Sequence, residues 1–310
     1  ANVFNAFVQD EITLIKKGLW LTLGTKLEHN SYVGLQVQPT ARLRASLTDD
    51  LEFWAAVSRA VRTPSRFEDS GRYLRFLAAP GSAANPSAIP AFLEVLGNPN
   101  FSSIGLISYE SGLRVDLPYE GSLDISGYYN DYNGFRTGIS GRPSLTLDGQ
   151  QGIPVAVVPG VLGNGLDVRS FGSEVSWSQP ISSRYQVRTG YAWMRSIVDE
   201  IEKLDLNDRN RIIPGKSPRH TVFINNRYTP VLGTEIDVTG RWVDKLPGLG
   251  IDSYYALDLR FGHYLTHKLL LELVGQNLLD SSRQEFSPEF LPIIPTNVQR
   301  SAYIRLSYQL

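Results

Sequence analysis

The stretch SAYIRLSYQL, residues 301–310, alternates between apolar and polar side chains. Ala302, Ile304 and Leu306 fall on one face of an extended chain, whereas Ser301 and Arg305 fall on the other. A period of two is typical of a β-strand with one apolar face, whereas a helix would repeat every 3.6 residues. The segments 234–243 and 254–263 show the same alternation. The sequence therefore predicts half-buried strands.

Alternation of this kind extends over most of the chain. Further segments with this period are 19–28, 40–47, 107–117, 122–131, 171–177 and 185–193. The segment 268–274 (KLLLELV) also fits a helical stripe, but its neighbours favour a strand. We predict about 13 strands from these patterns and the turn residues between them.

The connections between these strands alternate in length. The short ones are 16–18, 48–50, 118–121, 179–183, 230–233 and 265–268. The long ones, rich in Gly, Pro, Ser and Asn, are roughly 30–38, 63–103, 136–168, 196–216, 244–252 and 279–297. Short periplasmic turns and longer extracellular loops are typical of an antiparallel up-and-down transmembrane β-barrel of the outer membrane. A soluble β-sandwich gives no reason for loop length to alternate in this way.

The charged side chains share the polar face of the strands, as Glu110, Arg241, Asp258 and Arg305 illustrate. A small soluble barrel cannot hold so many ionised groups inside, whereas a wide barrel can line a wet or protein-filled lumen with them. An arginine turned to lipid at the midplane would cost about 2–4 kcal/mol. The formal net charge of -1 gives no indication of nucleic-acid binding. The absence of cysteine excludes disulfides, zinc–thiolate clusters and thiol nucleophiles.

The predicted strand directions place the two ends of the chain on opposite sides of the membrane. A closed barrel of this type has an even number of strands and both termini on one side. We therefore expect the barrel to be incomplete, with further strands before Ala1. We also expect that residues 1–310 do not fold alone, because unpaired strand edges are costly in lipid.

Six motifs resemble segments of TonB-dependent outer-membrane receptors, in the same order along the chain. They are SRAVRTPSRFE (58–68), YESGLR (109–114), GYYNDYNGFRTG (127–138), GSEVSW (172–177), SPRH (217–220) and GQNLLD (275–280). The resemblance implies that residues 1–310 are the C-terminal portion of a barrel of about 22 strands with a plugged lumen. It places the N-terminal plug and the first strands outside this chain. Leu310 departs from the family, which usually ends on an aromatic residue.

The resemblance implies a receptor for active transport in the outer membrane of a Gram-negative cell. Its solute would be a metal–siderophore chelate or another scarce compound, and its partners would be the TonB complex, acting through the plug, and outer-membrane lipid and lipopolysaccharide. A passive channel or porin without a plug is the alternative. An enzyme is not expected, because the four histidines lie in three separate regions and no catalytic constellation surrounds them. No cofactor and no metal site are expected either.

A cluster of cations and aromatic residues near the start of the 63–103 connection is the candidate ligand site. Its proposed members are Arg62, Arg66, Arg72, Tyr73 and Arg75. Such side chains suit an anionic or catecholate-bearing chelate through charge-assisted hydrogen bonds and cation–π contacts. Alternatively, these arginines contact lipopolysaccharide phosphates or carboxylates of the loop itself. The sequence does not name the substrate.

Overall fold

The computed structural model describes residues 2–83, 85–147, 152–200, 214–287 and 294–309. Within these ranges the chain forms one short helix and eighteen strands. The helix is α1 (Arg66–Ser70). The strands are β1 (Val3–Ile15), β2 (Leu19–Asn30), β3 (Gly34–Ser46), β4 (Leu51–Arg62), β5 (Arg72–Ala78), β6 (Ala91–Leu96), β7 (Ile104–Leu117), β8 (Gly121–Ser140), β9 (Ser144–Leu147), β10 (Pro154–Ser182), β11 (Tyr185–Glu200), β12 (His220–Tyr228), β13 (Thr234–Val243), β14 (Tyr254–Thr266), β15 (Leu269–Gln276), β16 (Ser282–Arg283), β17 (Val298–Gln299) and β18 (Ser301–Tyr308).

Thirteen of these strands form one continuous antiparallel meander. Their order is β1-β2-β3-β4-β7-β8-β10-β11-β12-β13-β14-β15-β18. The predicted all-β, up-and-down architecture and the predicted number of about 13 strands are therefore confirmed. In the described part of the chain β1 and β18 do not pair, so the sheet is an open wall and not a closed barrel. The ambiguous segment 268–274 lies mostly in β15, which confirms the strand prediction.

The structure corrects two of the predicted long connections, the first of which is 30–38. Residues 30–38 were predicted to form a long connection, but only residues 31–33 separate β2 from β3. The two strands pair up to Asn30 and Gly34. Gly34 takes a positive φ of 70°, which glycine adopts without steric cost. The Asn30 side chain accepts a hydrogen bond from the Tyr32 N–H at 2.9 Å and closes the turn.

The predicted connection 136–168 is also wrong, because most of it is strand. β8 continues to Ser140, β9 lies within the connection, and β10 begins at Pro154 and runs for 29 residues. Glycines such as Gly160 and Gly163 favoured the prediction of a loop, but the Val and Leu side chains between them suit an extended strand. Of the predicted connections 196–216 and 279–297, residues 201–213 and 288–293 lie outside the described residues.

Ion pairs cross the strands on the polar face, where the sequence predicts the charged side chains. Arg227 pairs with Asp237, Asp237 with Arg260, Arg260 with Glu272, and Glu272 with Arg305. These contacts link β12, β13, β14, β15 and β18, and Glu272 is only 1% exposed. The neighbouring apolar face of β18 is open, with Ile304 70% exposed. One face of the wall is thus a charge-paired surface, and the other is apolar.

In the described ranges, no helix is long and apolar enough to cross a membrane.

Candidate ligand-binding segment at the long-connection end

The connection between β4 and β7, which we call the rim segment (residues 63–103), has its own folded structure. Its helix α1 begins with a capping box, in which the Ser65 hydroxyl accepts from the Glu68 N–H and the Glu68 carboxylate accepts from the Ser65 N–H. This reciprocal pair satisfies two helix-end donors that lack intrahelical partners. The chain then turns at Gly71 into the β5–β6 hairpin.

Strand β6 attaches this hairpin to the wall. It pairs in parallel with the extended part of β10, from Ala91 opposite Ala156 to Leu96 opposite Val161. A small apolar core of Val95, Phe101 and Leu162 packs below the hairpin. Phe67 of α1, Tyr73 of β5 and Leu93 of β6 pack against that core. The rim segment is therefore anchored by backbone pairing and by apolar contacts.

Glu68 is the electrostatic centre of the rim segment and is 1% exposed. The Arg62 guanidinium donates to both of its carboxylate oxygens, at 3.0 and 2.6 Å. The Ser65 N–H and hydroxyl also donate to this carboxylate, at 2.9 and 3.0 Å, and Arg136 of β8 lies 3.6 Å away. Burial alone would raise the pKa of the Glu68 carboxyl, but the hydrogen bonds from Arg62 and Ser65 outweigh it and lower the pKa to about 2.

The five predicted site residues do not form one constellation. Arg62 is bound to Glu68, and Arg72 donates to Glu94 across the hairpin at 2.5 Å. Tyr73 packs against the apolar core. Because successive side chains of a strand point to opposite faces, Tyr73 and Arg75 share one face of β5 and Arg72 lies on the other. Within the described ranges, Arg66 and Arg75 have no ion-pair partner. Of the five predicted site residues, these two are therefore the cations available to bind an anionic solute.

Sequence reasoning missed the residues that organise this segment, namely Glu68, Glu94 and Arg136. The spacing Ser65-x-x-Glu68 is a capping-box signature and was readable from the sequence. The approach of Arg136 to Glu68 was not, because it depends on how β8 lies beside α1. In the described parts of the chain, no group of three or more His, Asp or Glu side chains is placed to hold a metal ion.

Gly97 offers a direct test of how the rim segment is anchored. Its N–H donates to the Gly71 carbonyl at 2.7 Å, at the end of α1. A Cβ at this position would lie 2.6 Å from the Gly71 nitrogen and 2.7 Å from the Phe67 carbonyl oxygen, and these backbone atoms cannot move independently. We expect Gly97→Ala to separate α1 from the hairpin and to increase tryptic cleavage after Arg66 and Arg72. Gly105→Ala is the control, because a Cβ there would meet open space; equal cleavage of both variants would contradict the anchoring role.

The sequence matches a family and several known receptors. Residues 1–278 match the family described as TonB dependent receptor-like, beta-barrel. The ferrienterobactin receptor of Escherichia coli (strain K12) is 27% identical over 170 residues, which are 53% of this chain and 22% of that protein. The ferric enterobactin receptor of Pseudomonas aeruginosa is 27% identical over 142 residues, which are 45% of this chain and 18% of that protein.

The fold agrees with these matches. A crystal structure of a mutant ferric enterobactin receptor from Pseudomonas aeruginosa superposes with a TM-score of 0.72 and 18% identity. The superposition covers 99% of this chain and 44% of that receptor, so the chain spans less than half of its length. The matched relatives are receptors, in agreement with the prediction that the chain is not an enzyme. Because the family match covers most of the residues, the chain belongs to the family of TonB-dependent receptor-like β-barrels.

Proposed function

We propose that the full-length protein is a TonB-dependent outer-membrane receptor that takes up a ferric siderophore or a similar metal chelate. The family match over residues 1–278 is the observation that carries this proposal. Two relatives named as enterobactin receptors support the substrate class. In this proposal residues 1–310 form the C-terminal portion of the barrel. The TonB complex acts on a plug that lies outside this chain.

The rim segment is the proposed point of first contact with the solute, on the extracellular side. Ferric catecholate chelates are anionic, and a guanidinium can donate several hydrogen bonds to such an oxygen-rich surface. Arg66 at the start of α1 and Arg75 on β5 are the available donors, and Tyr73 supports β5 by packing against the apolar core. Arg62 and Arg72 contribute by holding Glu68 and Glu94 in place.

Uptake by living cells tests the proposed function. A strain without its other iron receptors should accumulate radioactive iron from a ferric siderophore when it produces the full-length protein. This accumulation should cease when TonB is deleted, because active transport depends on it. Uptake that continues without TonB and follows the external concentration would instead establish the alternative, a passive channel. Because the chain matches chelate receptors at 27% identity, a panel of catecholate and hydroxamate chelates should be tried.

The two available arginines provide the residue-level test. We expect the double variant Arg66→Gln and Arg75→Gln to raise the Kd for an anionic chelate by about tenfold or more, since each lost charge-assisted hydrogen bond is worth about 1.5–3 kcal/mol. Binding is measured by quenching of tryptophan fluorescence on cells or on purified receptor. Arg184→Gln is the matched control, because Arg184 is an exposed arginine in a short turn at the other end of the wall. An unchanged Kd in the double variant would remove Arg66 and Arg75 from the site.

A further inference from the structure

The wall contains a notch between β3 and β4 at its long-connection end. These strands pair from Ser46 opposite Glu52 up to Thr40 opposite Ser58, and there the ladder stops. Above that point β3 pairs only with β2, and β4 pairs only with β7. The next residue of β3 is Pro39, which has no N–H to donate to a neighbouring strand. The upper parts of β3 and β4 therefore face each other without backbone pairing.

Side chains bridge the notch in place of the missing ladder. The side-chain amide oxygen of Gln38 accepts a hydrogen bond from the Val61 N–H at 3.3 Å. The Arg59 guanidinium donates to the backbone carbonyl of Val37. The Ser103 hydroxyl at the notch is buried and has no hydrogen-bond partner in the described residues. Buried polar groups are nearly always hydrogen-bonded, so this hydroxyl indicates that a polar partner fits beside it.

A cavity of about 390 Å³ occupies this notch. Polar groups dominate its wall, since Tyr32, Gln36, Arg59, Asn100, Ser102 and Ser103 all line it. Gln36 belongs to the polar face of β3, whereas Arg59 is opposite Ile107 on the apolar face of the wall. Because residues of both faces line the same space, we call it the wall pocket. Its volume is in the range of small-molecule sites.

Arg59 gives the pocket its charge and its orientation. It lies on the outward face of β4, two residues above Val57, which is 41% exposed, and beside Ile107, which is 40% exposed. Only one guanidinium donor, to Val37, is satisfied in the described part of the chain, although arginine has five N–H groups. An exposed cation directly above an apolar surface is suited to the phosphate of a lipid whose acyl chains cover that surface.

We propose that the wall pocket binds the phosphorylated sugar headgroup of lipopolysaccharide, with Arg59 on a phosphate. The hydroxyl and amide groups of Tyr32, Asn100, Ser102 and Ser103 provide the neutral hydrogen bonds that sugar hydroxyls require, and a simple phospholipid headgroup would use few of them. The acyl chains lie along Val57 and Ile107. This inference rests on placement in the outer membrane and not on the solute that is carried, so its failure leaves the proposed uptake intact.

The test measures thermal unfolding of the purified full-length protein in detergent. Deep-rough lipopolysaccharide, phosphatidylethanolamine and inorganic phosphate are each titrated, and the midpoint temperature is recorded. We expect lipopolysaccharide to raise the midpoint, with a half-maximal concentration about tenfold higher for Arg59→Gln than for the wild type. Arg184→Gln, which also loses one guanidinium–carbonyl bond but lies at the opposite end of the wall, should behave as the wild type does.

A second variant tests the cavity independently of the charge. Gly105 lines the pocket, and a Cβ there meets nothing within 4 Å, so Gly105→Val fills space without a clash and suits a strand. It should weaken the lipopolysaccharide effect as Arg59→Gln does, with an unchanged midpoint in detergent alone. Equal half-maximal concentrations for Arg59→Gln and Arg184→Gln would overturn the proposal. Equal shifts from phosphatidylethanolamine or inorganic phosphate would overturn it as well, since they would indicate a general anion or lipid contact.

Discussion

Replacing Glu68 by alanine should release the rim segment and weaken binding of the solute. The Glu68 carboxylate is buried and accepts hydrogen bonds from Arg62 and from both donors of Ser65. Alanine removes the ion pair and one half of the capping box together. A charge-assisted hydrogen bond is worth about 1.5–3 kcal/mol, so we expect tryptic cleavage after Arg66 and Arg72 to become at least about tenfold faster. We also expect the Kd for the chelate to rise by a similar factor.

Two variants separate the contributions to this effect. Glu68→Gln keeps a side chain that can accept from the Ser65 N–H, because glutamine also serves at this position of a capping box. It loses the charge that holds Arg62. Glu94→Ala removes the other ion pair of the rim segment, with Arg72, but leaves α1 intact. We expect Glu68→Ala to be cleaved fastest, Glu68→Gln more slowly and Glu94→Ala slowest. If Glu94→Ala is cleaved as fast as Glu68→Ala, Glu68 has no special role.

The Glu68 ion pair also has a defined dependence on pH. In the folded protein its pKa falls from the usual 4.5 to about 2. A group with a depressed pKa stabilises the folded state above its ordinary pKa, and that stability is lost as pH falls through the folded pKa. The rim segment should therefore resist a pH-tolerant protease equally from pH 8 to 5 and lose resistance between about pH 4.5 and 2. Glu68→Gln should show no such transition in the same range.

The alternation of polarity was sufficient to predict the strands, because one face of each strand carries charges and the other does not. The residues 301–308 and 254–263 illustrate this, and both lie in the strands that the structure contains. The prediction of a long connection at 30–38 was wrong because Gly34 and the neighbouring Pro39 are residue types typical of loops. In the structure Pro39 lies within β3 where the β4 ladder ends, and Gly34 only closes a tight turn.

The rim segment was predictable only in part. Its cluster of arginines was visible in the sequence, but which of them are neutralised was not. That depends on Glu94, which is 22 residues from Arg72 in the chain, and on Glu68 of α1, which pairs with Arg62 at the end of β4. Strand pairing brings Arg72 near Glu94, and the turn from β4 into α1 brings Arg62 to Glu68; the alternation of polarity in the sequence reports neither contact. Arg66 and Arg75 could be distinguished from Arg62 and Arg72 only after the fold was known.

The largest effect on stability is expected at Arg260, on the polar face of the wall. Its guanidinium pairs with Glu235 at 2.9 Å, with Asp237 at 2.5 Å and with Glu272 at 2.7 Å. Arg260→Gln leaves these three carboxylates on adjacent strands without their shared cation. Removing one partner from a largely buried ionic cluster costs about 3 kcal/mol, because Glu235 loses its cation while Asp237 and Glu272 each lose one of two. We expect that loss in the free energy of unfolding of the full-length protein, measured in urea by tryptophan fluorescence.

Arg241 of β13, which pairs with β14 through Asp258, provides the matched control. It makes one ion pair, with Asp258 at 2.9 Å, and the Arg241 side chain is half exposed. Exposed pairs contribute about 0–1 kcal/mol, so Arg241→Gln should have little effect. Without Arg260, Asp237 keeps Arg227 and Glu272 keeps Arg305, whereas Glu235 has no other ion-pair partner in the described residues. The double variant Arg260→Gln and Glu235→Gln removes this unpaired carboxylate and should regain part of the lost stability, because like-charge repulsion decreases. Equal destabilisation by Arg260→Gln and Arg241→Gln, or no recovery in the double variant, would mean that packing and not charge compensation holds β13, β14 and β15 together.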